Sequence, residues 1–181
     1  MQRLVFITGN QYKADFLAKW LGQPVEHRKL DLEEIQSLEP DVVLADKARR
    51  AYEIVKEPVL VEDVTLTFTA MGRLPGTFIR WFLEELGPVG LCNLAAGLEH
   101  QKAVAAITYA IYDGSMLKTF YGDAVGRIAP APRGESFGWN SIFIPDGFEK
   151  TYAQLTDEEF AAHSHRGKAL RLLKAYLERK P

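Results

Sequence analysis

Residues 58–68, PVLVEDVTLTF, constrain the fold more than any other stretch of this chain. Val59, Leu60 and Val61 form a continuous apolar run rich in β-branched residues, the pattern of a strand buried on both faces. Glu62 and Asp63 follow at once, so the expectation is two carboxylates where a buried strand runs out. An ionised carboxylate in an apolar setting needs a hydrogen bond, a cation or a metal, because leaving it without one costs roughly several kcal/mol. Two readings are open for the pair. It caps the next turn or bonds a surface lysine, or it serves a site.

The 181 residues suit a single domain, 1–181, large enough for a proper core. With 47% hydrophobic and 25% charged residues, the composition excludes a disordered or membrane-embedded chain. A formal charge of −2 argues against general nucleic-acid binding. Cys92 is the sole cysteine, which rules out an internal disulfide. With no signal peptide after Met1, it points to the reducing cytoplasm. No apolar run approaches the roughly 20 residues needed to span a bilayer, so no membrane partner is expected.

From the N-terminus, residues 3–8 read as a strand, and Gly9-Asn10 as a turn. A helix follows over 11–21, with Phe16, Leu17, Trp20 and Leu21 at helical spacing and Gly22 as its stop. Such a strand-turn-helix unit presents backbone N–H groups and a positive helix end to an anion. Lys13, in the first turn, opposes the helix dipole, and its presence hints at phosphate. T-G-N-x-x-K is not a Walker loop, and the motif alone is weak. Residues 25–30 suit an exposed strand. Residues 31–41 carry five carboxylates, a density usual in a solvated loop. Glu34 is a candidate ligand for a hard metal such as Mg²⁺ only if the fold brings it to Asp63. Asp41 fits as N-cap of a helix through Val55, with Val43, Leu44, Lys47, Ala48, Ala51 and Ile54 distributed over its faces. Lys47 lies near the apolar face, where snorkelling to solvent is the commoner explanation.

Residues 70–76, AMGRLPG, form a shaped loop into a helix capped by Thr77 and stopped by Gly87. Its expected buried stripe is Ile79, Phe82, Leu83 and Leu86, with Arg80 facing elsewhere; 88–98 reads as a further short helix. Residues 103–112 and 117–128 flank Asp113-Gly114, a hairpin signal. After the turn-rich 130–138, Trp139 and Phe143 enclose Asn140 and Ser141, where aromatics could stack a flat base, although such residues are more often core. Thr156 and Glu159 spell a capping box. Ser164, His165 and Arg166 precede an amphipathic helix with Leu170, Leu172, Leu173, Tyr176 and Leu177. They form a cluster of donors or simply cap that helix.

Taken together, TGNQYK at 8–13, EEIQ at 33–36, LVEDVTL at 60–66, GRLPGTFIRWFLEELGPVGL at 72–91, FGW at 137–139, IFIPDGFEKTYAQL at 142–155 and SHRGKAL at 164–170 resemble the inosine triphosphate pyrophosphatase (HAM1-like) family. The resemblance spans nearly the whole chain. It implies a mixed α/β fold, two lobes around a long curved mixed sheet with a central substrate cleft, and a homodimer. It implies Mg²⁺-dependent hydrolysis, with Mn²⁺ as an alternative, of non-canonical purine nucleoside triphosphates such as ITP, dITP, XTP and dXTP. By the same resemblance Thr8, Asn10 and Lys13 hold the triphosphate with Lys47 as a second cation. Glu34 and Asp63 hold the metal, with Glu62 nearby and Asp63 also acting on the water. Phe137 and Trp139 wall the base, His165 and Arg166 donate to it, and Arg80 stands where the family often has lysine.

Two pairs of positions depart from the family pattern. Asn140 and Ser141 replace the usual Asp-Pro after the aromatic residue, and Phe160 and Ala161 replace the usual Lys-Asn ahead of Ser164. Asn140 keeps hydrogen-bonding capacity without the charge, and Phe160 removes a cationic donor. The expectation is that hydrolysis survives while base selectivity is altered or relaxed. A different class of reading is a nucleotide-binding protein that has lost turnover; tight triphosphate binding without pyrophosphate release would mark it.

Overall fold

A computed structural model describes residues 4–179. Met1 and Arg3, on which the expected start of the first strand and the leader assignment rest, lie outside them. The fold is mixed α/β, as expected, and among the described residues the strands form a seven-stranded sheet in the order β2-β1-β3-β5-β6-β7, with β4 on β3. The chain divides into two compact units.

The first unit takes in residues 4–63, 108–121 and 169–179. Strand β1 (Val5–Ile7) is buried throughout and pairs in parallel with β2 (Glu26–Arg28) and β3 (Val59–Phe68). Parallel partners on both sides suit its purely apolar sequence. Helix α1 (Gln11–Leu21) ends on Gly22, at φ 70°, whose N–H donates to the Ala18 carbonyl, a left-handed stop that favours glycine. Helix α2 (Pro40–Val55) packs Leu44, Ala48 and Ala51 with Val5, Ile7, Val59 and Val61. Here the N-cap expectation fails. Glu39 is the capping residue, Pro40 opens the helix where a missing N–H costs nothing, and Asp41 falls in the first turn, where its charge suits the dipole. Ile54 is exposed; Val55, about 20° from Leu44 on the wheel, takes the inward place instead. The expected hairpin turn is present, with Asp113 Oδ1 accepting from the amides of Ser115 and Met116.

Strand β3 does not end at the carboxylates. It continues through Glu62 and Asp63 to Phe68, because the buried Glu62 has a cationic partner, described below, and the charge does not force the chain out to water.

The second unit takes in 64–107 and 122–168. Strand β4 (Pro75–Gly76) pairs antiparallel with Leu66 and Thr67. Helix α3 (Ile79–Ala96) breaks at Gly87, whose φ of 63° and ψ of 176° divide it into the two expected helical segments. Its cap is Phe78 rather than Thr77, with no side-chain bond. Leu86 is exposed; the break at the next residue takes it off the buried stripe. Strands β5 (Lys102–Tyr112) and β6 (Leu117–Ile128) contribute to both units. Strand β7 (Phe143–Pro145) lies antiparallel to β6, so close that a Cβ on Gly126 would collide with the Ile144 carbonyl. Leu66, Phe68, Ile79, Leu91, Phe143 and Tyr152 are among this unit's core.

Helix α4 (Asp157–His163) carries the expected capping box: Thr156 Oγ1 accepts from the Glu159 amide at 3.1 Å and Glu159 Oε2 from the Thr156 amide at 2.9 Å. Helix α5 (His165–Arg179) begins with Ser164 Oγ accepting from the Gly167 amide at 3.0 Å. It buries Leu170 and Leu173 and exposes Leu172, which lies about 200° from Leu170 on the wheel. No helix among the described residues is long and apolar enough to cross a membrane.

Candidate active site

The turn between β1 and α1 is built by its own side chains. Thr8 Oγ1 accepts from the Asn10 amide at 3.1 Å, and Asn10 Oδ1 caps the helix by accepting from the Lys13 amide at 3.3 Å. Both oxygens are thus engaged within the turn. What each side chain retains is donor capacity, the Thr8 hydroxyl hydrogen and the Asn10 amide hydrogens, and donors are what a phosphate oxygen requires.

Lys13 rises from α1 to Glu62, Nζ to Oε1 2.6 Å, with 23% of the lysine side chain and 3% of the glutamate side chain exposed. Lys47, on α2, reaches Glu34 at 2.7 Å and the backbone carbonyl of Glu62 at 3.5 Å. It does not snorkel to solvent: its side chain is 19% exposed and that of Glu34 38%. Consecutive strand residues point to opposite faces, and this separates two carboxylates that are adjacent in sequence. Val59 and Val61 pack with α2, so Asp63 shares their face and the side of the strand that carries Lys47 and Glu34. Glu62 points the other way, to Lys13. Lys47 thus links Glu34 to the backbone of β3 at Glu62, one residue before Asp63.

Among the described residues no three His, Cys, Asp or Glu side chains gather as a metal cage. Two carboxylates, Glu34 and Asp63, with the remaining positions left to water and phosphate oxygens, match the way Mg²⁺ is usually held, since it gives up its waters reluctantly. The donor set fits a hard cation that arrives with a polyphosphate.

The remaining candidates belong to the second unit. Arg80 is held on its own helix, with Nε 2.8 Å from Glu84 Oε1 and Cζ 5.3 Å from the centre of the Trp81 ring. Phe137 is half exposed. Trp139 is not an open wall: 7% exposed, it sits in the core, edge-on to Phe143 and stacked on His165 at 5.3 Å. His165 is likewise buried, with Trp139 on one side and Tyr152 stacked at 5.6 Å, so the ring expected as a donor to the base is held inside an aromatic stack. Arg166, next in the chain, is partly exposed. Asn140 ties its own loop together, Nδ2 donating to Ser136 Oγ at 3.1 Å and its carbonyl accepting from the Ala153 amide. Phe160 packs edge-on against Tyr152 at 5.1 Å and so extends the core where a lysine would have offered a charge.

Tyr152, given no role in the sequence reading, joins His165, Phe143 and Phe160. Burial pushes its phenol well above the ordinary value. The one available signal was the Thr151–Gln154 capping box that fixes its short 3₁₀ turn.

Residues 4–176 match the Ham1 family, and the chain belongs to that family. It is 42% identical over 183 residues to an inosine triphosphate pyrophosphatase of Schizosaccharomyces pombe, covering 98% of this chain and 96% of that one. It is 44% identical over 180 residues to inosine triphosphate pyrophosphatase 2 of Trypanosoma cruzi, covering 96% and 91%. Among solved structures, a HAM1 protein from Coxiella burnetii superposes with a TM-score of 0.80 at 26% identity over 99% of this chain and 100% of that chain. The Staphylococcus aureus Ham1 protein gives 0.79 at 25% identity, over 97% of each.

Proposed function

We propose that this chain is a nucleoside triphosphate pyrophosphatase that hydrolyses inosine triphosphate and related non-canonical purine nucleotides, XTP included, to the monophosphate and pyrophosphate. The observation that carries the reading is its 42–44% identity, over nearly the whole chain, to enzymes named for that activity. The lysine and carboxylate arrangement on β3 supports it.

A polyphosphate repels a water nucleophile until its charge is neutralised. Thr8, Asn10 and Lys13 donate to the phosphates, and Lys47 adds a second cation. Glu34 and Asp63 would hold Mg²⁺, or Mn²⁺ in its place, which when bound offsets phosphate charge and polarises the reacting centre. Asp63 also orients the water and takes its proton as the oxygen attacks the α-phosphorus. The bond from that phosphorus to the bridging oxygen breaks, and pyrophosphate leaves. Glu62, locked to Lys13 on the other face, fixes the lysine rather than the water. Phe137 stacks on the base, and Arg166 donates to the 6-oxo group, where adenine offers an amino group instead. A cytoplasmic homodimer completes the proposal.

A second reading keeps the chemistry and relaxes base choice. It is favoured by Asn140, spent on Ser136, and by Phe160, packed on Tyr152. The test is pyrophosphate release from dITP, dXTP, dGTP, dATP, dUTP and TTP with Mg²⁺ at alkaline pH, beside Asp63→Asn. Turnover concentrated on dITP and dXTP and lost in the variant supports the first reading, and turnover spread across bases supports the second. Triphosphate binding with no release would make the chain a binding protein and overturn both.

A further inference from the structure

The two lysine–carboxylate pairs beside β3 differ in what it costs to open them. Lys13–Glu62 has a glutamate side chain only 3% exposed, and parting it leaves a buried charge that water does not reach to compensate. An ammonium has three donors, so Lys13 can keep Glu62 on one and give the others to phosphate. That pair stays closed. Lys47–Glu34 is different: 38% of the Glu34 side chain and 19% of the Lys47 side chain are exposed, so water reaches the carboxylate and partly screens the pair, which opens at lower cost than Lys13–Glu62. Yet the same two groups are the ones that a metal and a triphosphate would each require.

We propose that Lys47–Glu34 is an exchangeable latch. In the ligand-free protein each group neutralises the other; on binding, Glu34 turns to the metal and Lys47 to the phosphates, so that either ligand, by opening the pair, prepares the site for its counterpart. This rests on the pyrophosphatase reading above and adds to it a source of coupling between metal and nucleotide. The coupling is reciprocal by linkage. It arises from this chain's own ion pair, beyond the attraction between Mg²⁺ and polyphosphate in solution.

The test is titration calorimetry with α,β-imido inosine triphosphate, which keeps the charge and cannot be cleaved at the α-phosphorus. Binding is measured in EDTA for the wild type, Glu34→Gln, Lys47→Met and the double variant, with Mg²⁺ alone titrated into the wild type and Lys47→Met. The latch requires Glu34→Gln to tighten metal-free nucleotide binding by about two- to fivefold, the range of a partly exposed ion pair. It also requires that gain to vanish in the Lys47→Met background, and Lys47→Met to bind Mg²⁺ alone more tightly than the wild type. A gain that persists without Lys47 is only relief of repulsion between Glu34 and phosphate, and overturns the latch. No gain at all overturns it equally. If the analogue fails to bind the wild type even with Mg²⁺, the pyrophosphatase reading itself has failed, an outcome distinct from loss of the latch alone.

Discussion

Lys13 closes on Glu62 at 2.6 Å with the glutamate side chain 3% exposed, while Asp63, the next residue, points to the opposite face of the same strand. One carboxylate is thereby committed to holding a lysine, and its neighbour is left on the side of Lys47 and Glu34. Adjacent acids in the sequence have different work.

The commitment of Glu62 makes its pair asymmetric. Lys13→Met leaves a buried charge and is expected to lower stability by about 3–5 kcal/mol. Glu62→Gln leaves a lysine that is 23% exposed and can turn to water, with an expected loss of about 1–2 kcal/mol. The double variant Lys13→Met with Glu62→Leu should recover most of the loss. Urea unfolding measures all three, and equal losses for the two single variants would count against the asymmetry.

The same strand shows what a sequence discloses and what it hides. The apolar run 59–61, the hairpin turn at Asp113, the capping box at Thr156 and the left-handed stop at Gly22 are local patterns, and each appears where its pattern puts it. The continuation of β3 past Glu62 was hidden because the partner that permits it, Lys13, lies far away in the chain. Trp139 and His165 have motif positions that suggest a base, but their burial depends on Tyr152 and Phe143, which arrive from other elements. Long-range pairing decides these positions, and periodicity carries no record of it.

The junction of α4 and α5 leaves no room at Gly167, where a Cβ would collide with the Ala161 carbonyl. Backbone cannot yield as a side chain tip can, so Gly167→Ala is expected to cost about 1–3 kcal/mol. Ser164→Ala removes the cap on the Gly167 amide and should cost about 0.5–2 kcal/mol. Because the two act on the same turn, their losses should combine non-additively in thermal unfolding.

Tyr152 gives the protein an alkaline limit. Its phenol is held above the ordinary value mainly by burial, so the folded state keeps the neutral form while the unfolded chain ionises near pH 10. The contribution is fully present below pH 10 and is lost as pH rises toward the folded value, at about 1.4 kcal/mol per pH unit. Tyr152→Phe removes the titration. Stability measured between pH 9 and 11.5 should fall less steeply in the variant; parallel curves would show that another group sets the limit.

Phe137 and Trp139 stand two residues apart and should fail in different ways. Trp139 is 7% exposed and packs on Phe143, His165 and Tyr152, so Trp139→Ala opens a cavity and is expected to destabilise by about 3–5 kcal/mol. Phe137 is half exposed, and Phe137→Ala should leave stability within about 0.5 kcal/mol. If Phe137 stacks on the base, its loss removes an interaction worth about 1–3 kcal/mol. KM for inosine triphosphate should then rise about tenfold, with kcat changed less because the phosphate side is untouched. Unfolding curves and steady-state kinetics on both variants separate the roles. A Phe137→Ala enzyme with unchanged KM would remove Phe137 from the base site, and a Trp139→Ala protein of undiminished stability would return Trp139 to it.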